Sequence, residues 1–402
     1  MDEKQLRTLQ SFDEIAESAR YLIQTQDANF PKFVRTFNRK EAYVYLKCDG
    51  RTLDRYIKEL GIDPKKYEGL DFLITLDEIY KIRDALPATT ILKSTIQKFT
   101  RRKGQRCQRI VIQNQKGGVG KTVTADTAAT GLAIEYHQEY RVCLVDMDGQ
   151  STLSMYHPPM GNTYRRTTIG DLMRAELMQP MDNEQFEKMV RSAVADTTIP
   201  NLKILPADQK DRQLEADFHK AVFSGKLENP YSRLSRILDI IEDDFDIIII
   251  DTPPSYGFAS LNSYRAATSV IFPLSATQND LDATCNYFSY LPEVYSSLIE
   301  SGHKGYDFIR IILTNYEESS STLDVQSSLT DKFSKFMLGE VFKKSEAVRK
   351  CALEKNSVFD VSASTYNGPK NTLLAAVINA KSVVAAIHRD IYNIWQQQLE
   401  VE

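Results

Sequence analysis

The chain has 402 residues, 42% apolar and 26% charged, enough for two or three cores of ordinary domain size. Its five cysteines (Cys48, Cys107, Cys143, Cys285, Cys351) lack C-x-x-C spacing, which excludes a zinc ribbon and a disulfide scaffold and suits a reducing cytoplasm. The net charge of −4 hides an asymmetry: residues 1–106 hold 21 Lys and Arg against 16 Asp and Glu, so a basic front precedes an acidic body, and the front is expected to meet a polyanion.

Residues 1–30 read as a helix of mixed charge, too polar for a secretory leader. Residues 31–86 read as a compact module. In FNRKEAYVYLKCDGRTLDRYIKELGI (37–62), Asn38 caps a helix running to Leu46. Lys47-Cys48-Asp49-Gly50 then turns the chain, and Arg51–Leu60 forms a second helix that Gly61 stops. Two short helices across a tight turn make a helix-turn-helix. Its second helix offers Arg51, Thr52, Arg55 and Lys58 outward, as phosphate and base-edge contacts require, and keeps Leu53, Tyr56, Ile57 and Leu60 for packing. A wing is expected at 63–74. After it, Thr75-Leu76-Asp77-Glu78 has the capping-box pattern for a helix to Leu86. A helical protein-interaction module with a solvated basic face is the competing reading.

Pro87-Ala88-Thr89-Thr90 breaks the pattern, and KSTIQKFTRRKGQR (93–106) is basic and poor in large apolar residues, so 87–106 reads as a linker. From 107 to 402, short apolar runs alternate with longer helical stretches. The strand candidates are 108–113, 141–146, 201–206, 246–251, 269–274 and 308–314. Continuous apolar strands separated by helices predict an α/β fold, a doubly wound and mostly parallel sheet whose ligands sit at the strands' carboxyl ends. No apolar run reaches the length of a membrane span; the greasiest, FDIIIID (245–251), reads as a buried strand.

The first of these strands runs into Lys116-Gly117-Gly118-Val119-Gly120-Lys121-Thr122-Val123, and a helix rich in small residues follows. Glycines there let backbone N–H groups face phosphate oxygens at a helix N-terminus, so the whole stretch 116–123 is a candidate nucleotide-binding loop. Lys121 is placed to reach β- and γ-phosphates, and the Thr122 hydroxyl to ligate Mg²⁺. Two other strand ends carry acids: Asp146 and Asp148 in LVDMDGQS, and Asp251 in IIIIDTPP. A glycine loop alone is a weak signal, whereas the loop with both acidic strand ends is a strong one for a P-loop NTPase.

The stretches NQKGGVGKT, VDMDGQST and IIIDTPPS resemble the deviant-Walker ATPases, the MinD-like family, and among them ParA, over roughly residues 107–380. The resemblance implies ATP and ADP as nucleotides with Mg²⁺, and slow hydrolysis that partners accelerate. It implies that Lys116 crosses a homodimer interface to the partner's phosphates, that Asp148 positions the attacking water, that Asp146 joins the metal shell, and that Asn315 reads the adenine. With the front module included, the chain resembles the longer, type Ia ParA proteins, whose N-terminal helix helps dimerisation and whose winged helix-turn-helix binds operator DNA and represses its own operon. The family also implies a ParB-like centromere-binding partner, non-specific DNA binding in the ATP state, and a nucleoid-associated location. For that second DNA surface the candidates are Lys343, Lys344, Arg349 and Lys350, on a short helix that Ser345 can cap; a merely solvated helix face is the plainer alternative.

Three other functions share parts of this pattern. A MinD-like positioning ATPase needs a basic amphipathic tail, and this chain finishes AAIHRDIYNIWQQQLEVE, so no membrane partner is expected. An electron-transfer ATPase needs paired cysteines for a cluster, and none align. A transcription regulator that only senses nucleotide keeps both modules but not abundant hydrolysis.

Overall fold

The computed structural model describes residues 3–29, 32, 34–67, 70–87, 101–136, 140–158, 160, 166–178 and 181–400. The front begins with helix α1 (Glu3–Asn29), whose Leu9, Phe12, Ile15, Tyr21 and Leu22 are all exposed. A three-stranded antiparallel sheet follows, interleaved with helices: β1 (Thr36–Phe37), α2 (Arg39–Tyr45), α3 (Gly50–Glu59), β2 (Lys65–Tyr67), β3 (Leu70–Thr75) and α4 (Leu76–Ala85). Local sequence sets these boundaries. Asn38 and Glu41 form a reciprocal capping box at α2, Asp49 accepts the Arg51 and Thr52 N–H groups at α3, and Thr75 with Glu78 boxes the start of α4. Leu53 and Ile57 are buried as expected, but Leu60 is 42% exposed, because it caps α3 on the solvent side instead of joining the core.

Of the linker expected at 87–106, residues 88–100 lie outside the described residues. Residues 101–106 are packed on the second unit: Arg101 donates to the Glu242 carbonyl, Arg106 pairs with Asp307, and Gln105 donates to the Trp395 carbonyl.

The second unit comprises β4 (Gln108–Ile112), α5 (Lys121–Ile134), β5 (Val142–Asp146), α6 (Thr152–Tyr156), α7 (Ile169–Met178), α8 (Asn183–Ala193), β6 (Ala195–Asp196) and β7 (Leu202–Leu205). It continues with α9 (Leu214–Phe223), α10 (Arg233–Ile241), β8 (Ile247–Asp251), α11 (Phe258–Ala266), β9 (Ser269–Ser275), α12 (Gln278–Glu300), β10 (Phe308–Thr314), α13 (Ser320–Phe333), α14 (Glu346–Leu353) and α15 (Lys370–Glu400). The strands form one sheet in the order β10-β9-β4-β8-β5-β7-β6, parallel except for the edge strand β6. Every residue of β4, β5, β8 and β9 is buried, which is why these strands read as unbroken apolar runs and not as alternating ones. The order steps outward on both sides of β4 and β8. Helices therefore cover both faces, and the β4 loop opens at the carboxyl edge.

One of the two cores joins the units: Leu46, Ile79 and Leu86 of the front cluster with Leu132 of α5 and Val384 of α15. Helix α15 has the length and hydropathy of a membrane span, against the expectation from sequence. Its apolar stripe, Leu373, Ala380, Val383, Val384, Ile387, Ile391 and Trp395, is buried in this core instead.

Candidate nucleotide site

Strand β4 ends in a loop that two side chains tie down from behind. Asn114 accepts from the Lys116 N–H at 3.0 Å and donates to the Pro273 carbonyl at 2.8 Å and Thr284 at 3.1 Å. Thr314, ending β10, donates to the Val119 carbonyl at 2.7 Å. Gly118 and Gly120 have φ of 77° and 83°, where a Cβ is strained, and Gly120 is the N-cap of α5. A Cβ at Gly117 or Gly118 would meet nothing within 4 Å, so the loop's face is open. That open face and the start of α5 form a built cradle for an anion.

Lys121 lies at the base of the cradle, 7% exposed, its ammonium donating to the Lys116 carbonyl at 3.2 Å. Burial lowers its pKa, and Asp251 and Asp148 oppose that. Lys116 is 43% exposed, and its ammonium lies 3.4 Å from an Asp280 carboxylate oxygen.

The two strand-end acids differ. Asp146 accepts from the Ser154 N–H at 2.9 Å and hydroxyl at 2.7 Å, and from the Asp148 N–H at 3.2 Å. Burial still pushes its carboxyl up to about 7. Asp251 is 1% exposed, and neither of its oxygens has a hydrogen-bond partner. Burial, then the neighbouring Asp146, pushes it up to about 8, with Thr122 and Lys121 pulling the other way. A buried carboxylate without partners, beside a hydroxyl and a lysine, fits a divalent cation that arrives with a phosphorylated ligand. Among the described residues no group of three or more His, Cys, Asp or Glu could hold a metal ion.

A cleft of about 830 Å³ continues from the loop. Gly117, Gly118, Gly120, Lys121, Thr122, Val123, Asp148 and Asn315 line it, and so do Lys343, Lys344 and Arg349. The segment read from sequence as a DNA surface is thus also the far wall of this cleft. Ser345 caps α14 as anticipated. Lys344 pairs with Glu317 at 2.8 Å, Arg349 pairs with Glu346 at 2.5 Å, and Lys350 donates to the Asn367 carbonyl. In the front module Arg51, Arg55 and Lys58 are exposed on α3, while the Thr52 hydroxyl is taken by Asp49 at 2.8 Å. Sequence reasoning missed Ser154, Thr314 and Asp280. Only Thr314 carried a signal, its place at the carboxyl end of a strand.

The loop, the buried acids and the parallel sheet define a P-loop ATPase whose loop is led by a lysine. Within that class the chain is similar to the ParA-type partition ATPases. A family model described as AAA domain matches residues 107–300. A putative replication protein A of Sinorhizobium fredii is 25% identical over 375 residues, covering 90% of this chain and 88% of the relative. The chromosome partitioning protein ParA of Caulobacter vibrioides is 29% identical over 230 residues, 56% of this chain and 77% of that one. A solved structure titled Partition Protein superposes with a TM-score of 0.61 at 19% identity, covering 96% of this chain and 98% of that one.

Proposed function

We propose that the chain is an ATP hydrolase that drives DNA segregation, working as a nucleotide-held homodimer on DNA. One observation carries the reading: the glycine cradle holds one buried lysine, Lys121, and presents a second, exposed one, Lys116, beside an unpartnered buried carboxylate, Asp251. Lys121 binds the β- and γ-phosphates; Thr122 and Asp251 would hold Mg²⁺, with Asp146 supporting that shell, and the ion would offset charge on the phosphates. Asp148 orients the water that attacks the γ-phosphorus as the bond to the ADP oxygen breaks. Lys116 extends to the nucleotide of a second subunit, an ammonium supplied in trans where charge gathers. Asn315, with its side chain on the loop's rim, contacts the base.

The domain organisation follows: 1–30 pairs subunits, 31–86 binds operator DNA through Arg51, Thr52, Arg55 and Lys58, 87–106 links, and 107–402 is the ATPase. The exposed apolar residues of α1 support the first assignment. Lys343, Lys344, Arg349 and Lys350 serve non-specific DNA, and a ParB-like protein accelerates hydrolysis on the nucleoid in the cytoplasm. The test is a DNA titration in ATP, in ADP and without nucleotide, on random and promoter fragments, with Lys116→Ala and Lys121→Ala beside the parent. The expected result is random-DNA binding in ATP by the parent alone. Equal binding by both variants sinks the nucleotide-gated reading, and a lack of partner-stimulated hydrolysis favours a regulator that only senses nucleotide.

A further inference from the structure

Lys116 does not hang free in the single subunit. Its ammonium faces Asp280 in the first turn of α12, whose side chain is 18% exposed. Both partners are held by their backbones. Asn114 fixes the Lys116 N–H and reaches Thr284, one turn further along the same helix, while Thr277 caps the Asp280 N–H at 3.3 Å. The loop and the helix therefore present the pair to each other in the single subunit. Asp280 makes no other ion pair among the described residues that competes for Lys116.

We infer that Asp280 is a positioning residue for Lys116: it holds the lysine in cis in the separate subunit and must release it when a second copy brings its nucleotide. This rests on the reading of Lys116 as a group given in trans. The carboxylate then acts against premature pairing, since the same ammonium cannot serve both anions. A half-exposed pair is a modest brake, so the expected effect is a few-fold and not an all-or-none change.

The experiment is sedimentation velocity of the full chain in Mg²⁺ and a slowly hydrolysed ATP analogue, over a protein concentration series. Asp280→Asn is expected to pair at concentrations lower by up to about fivefold than the parent. Asp280→Glu restores the parent value. Thermal melting of Asp280→Asn, alone and in a Lys116→Ala background, separates the inference from a merely structural role at the start of α12, which would lower the melting temperature with or without Lys116. Should the asparagine variant fold poorly, Asp280→Ser is read in the same assay. Unchanged or weaker pairing by Asp280→Asn overturns the inference while leaving Lys116 in trans. Unchanged pairing by Lys116→Ala alone overturns both.

Discussion

Asp146 and Asp251 stand directly opposite one another on adjacent parallel strands, β5 and β8, and both are buried. Two carboxyls at the ends of paired strands repel when both ionise. Ser154 satisfies the first, whereas the second has only the neighbouring Thr122 hydroxyl and Lys121 to offset its charge, so a cation bound there would relieve the repulsion.

That repulsion makes stability depend on pH. Both carboxyls have raised pKa values, to about 7 and about 8, against an ordinary value of 3.8. The folded chain therefore binds more protons than the unfolded chain between those limits, and its stability falls as pH rises through them. Metal-free protein should melt at progressively lower temperature from pH 5 to pH 8. Asp251→Asn should flatten the profile and melt roughly 5 °C or more above the parent at pH 8, while losing Mg²⁺-dependent hydrolysis. A parallel pH profile for parent and variant in scanning calorimetry contradicts this.

Helix α5 meets α15 at Gly131, where a Cβ would come within 2.5 Å of Val384 and 3.0 Å of Phe359. Those neighbours are buried, so neither can swing away. Gly131→Ala should cost about 1–3 kcal/mol by overpacking, read as a lower denaturant midpoint with unchanged slope. An alanine variant as stable as the parent would show that α15 can shift.

The sheet was legible because buried parallel strands leave unbroken apolar runs, and the loop because only glycine tolerates its backbone. The caps at Asn38, Thr75 and Ser345 were legible for the same local reason: side chain and N–H lie within three residues. Contacts between distant segments left no such trace. Nothing near Lys116 in sequence announces Asp280, and nothing in VFKKSEAVRK shows that it walls the nucleotide cleft. Leu60 looked like core because periodicity gives a face without saying how far the core extends along it.

The front module also docks where sequence gives no hint, on the carboxyl end of α5. Tyr45 donates to the Ile134 carbonyl, and Tyr80 to the Ala133 carbonyl at 3.2 Å. These are last-turn carbonyls with no partner inside the helix. Tyr45→Phe and Tyr80→Phe should each destabilise the chain by about 1 kcal/mol. Together they should speed proteolytic release of the front module under native conditions. Cleavage at the parent's rate in the double variant would mean that the apolar contacts alone hold the module.

The two proposed DNA surfaces should respond differently to substitution. On α3, Arg55 stacks on Tyr56 and faces Glu59 only at 3.9 Å, so it is free to reach a base edge. Arg55→Ala should cost about 1–3 kcal/mol on promoter DNA and relax sequence preference, with little change on random DNA. Lys343 and Lys344 belong to the other surface. The exposed Lys344–Glu317 pair is worth little, so a phosphate can displace the glutamate. Losing both lysines should weaken binding equally on all sequences and reduce the slope of log affinity against log salt by roughly 2. Because these lysines also line the cleft, the same variants should bind nucleotide more weakly, while Arg55→Ala should not. Fluorescence anisotropy on both fragments across a salt series, with a nucleotide titration beside it, separates the two. If the Lys343 and Lys344 variants keep the parent's salt slope, the cluster belongs to the nucleotide cleft alone and the non-specific DNA surface lies elsewhere.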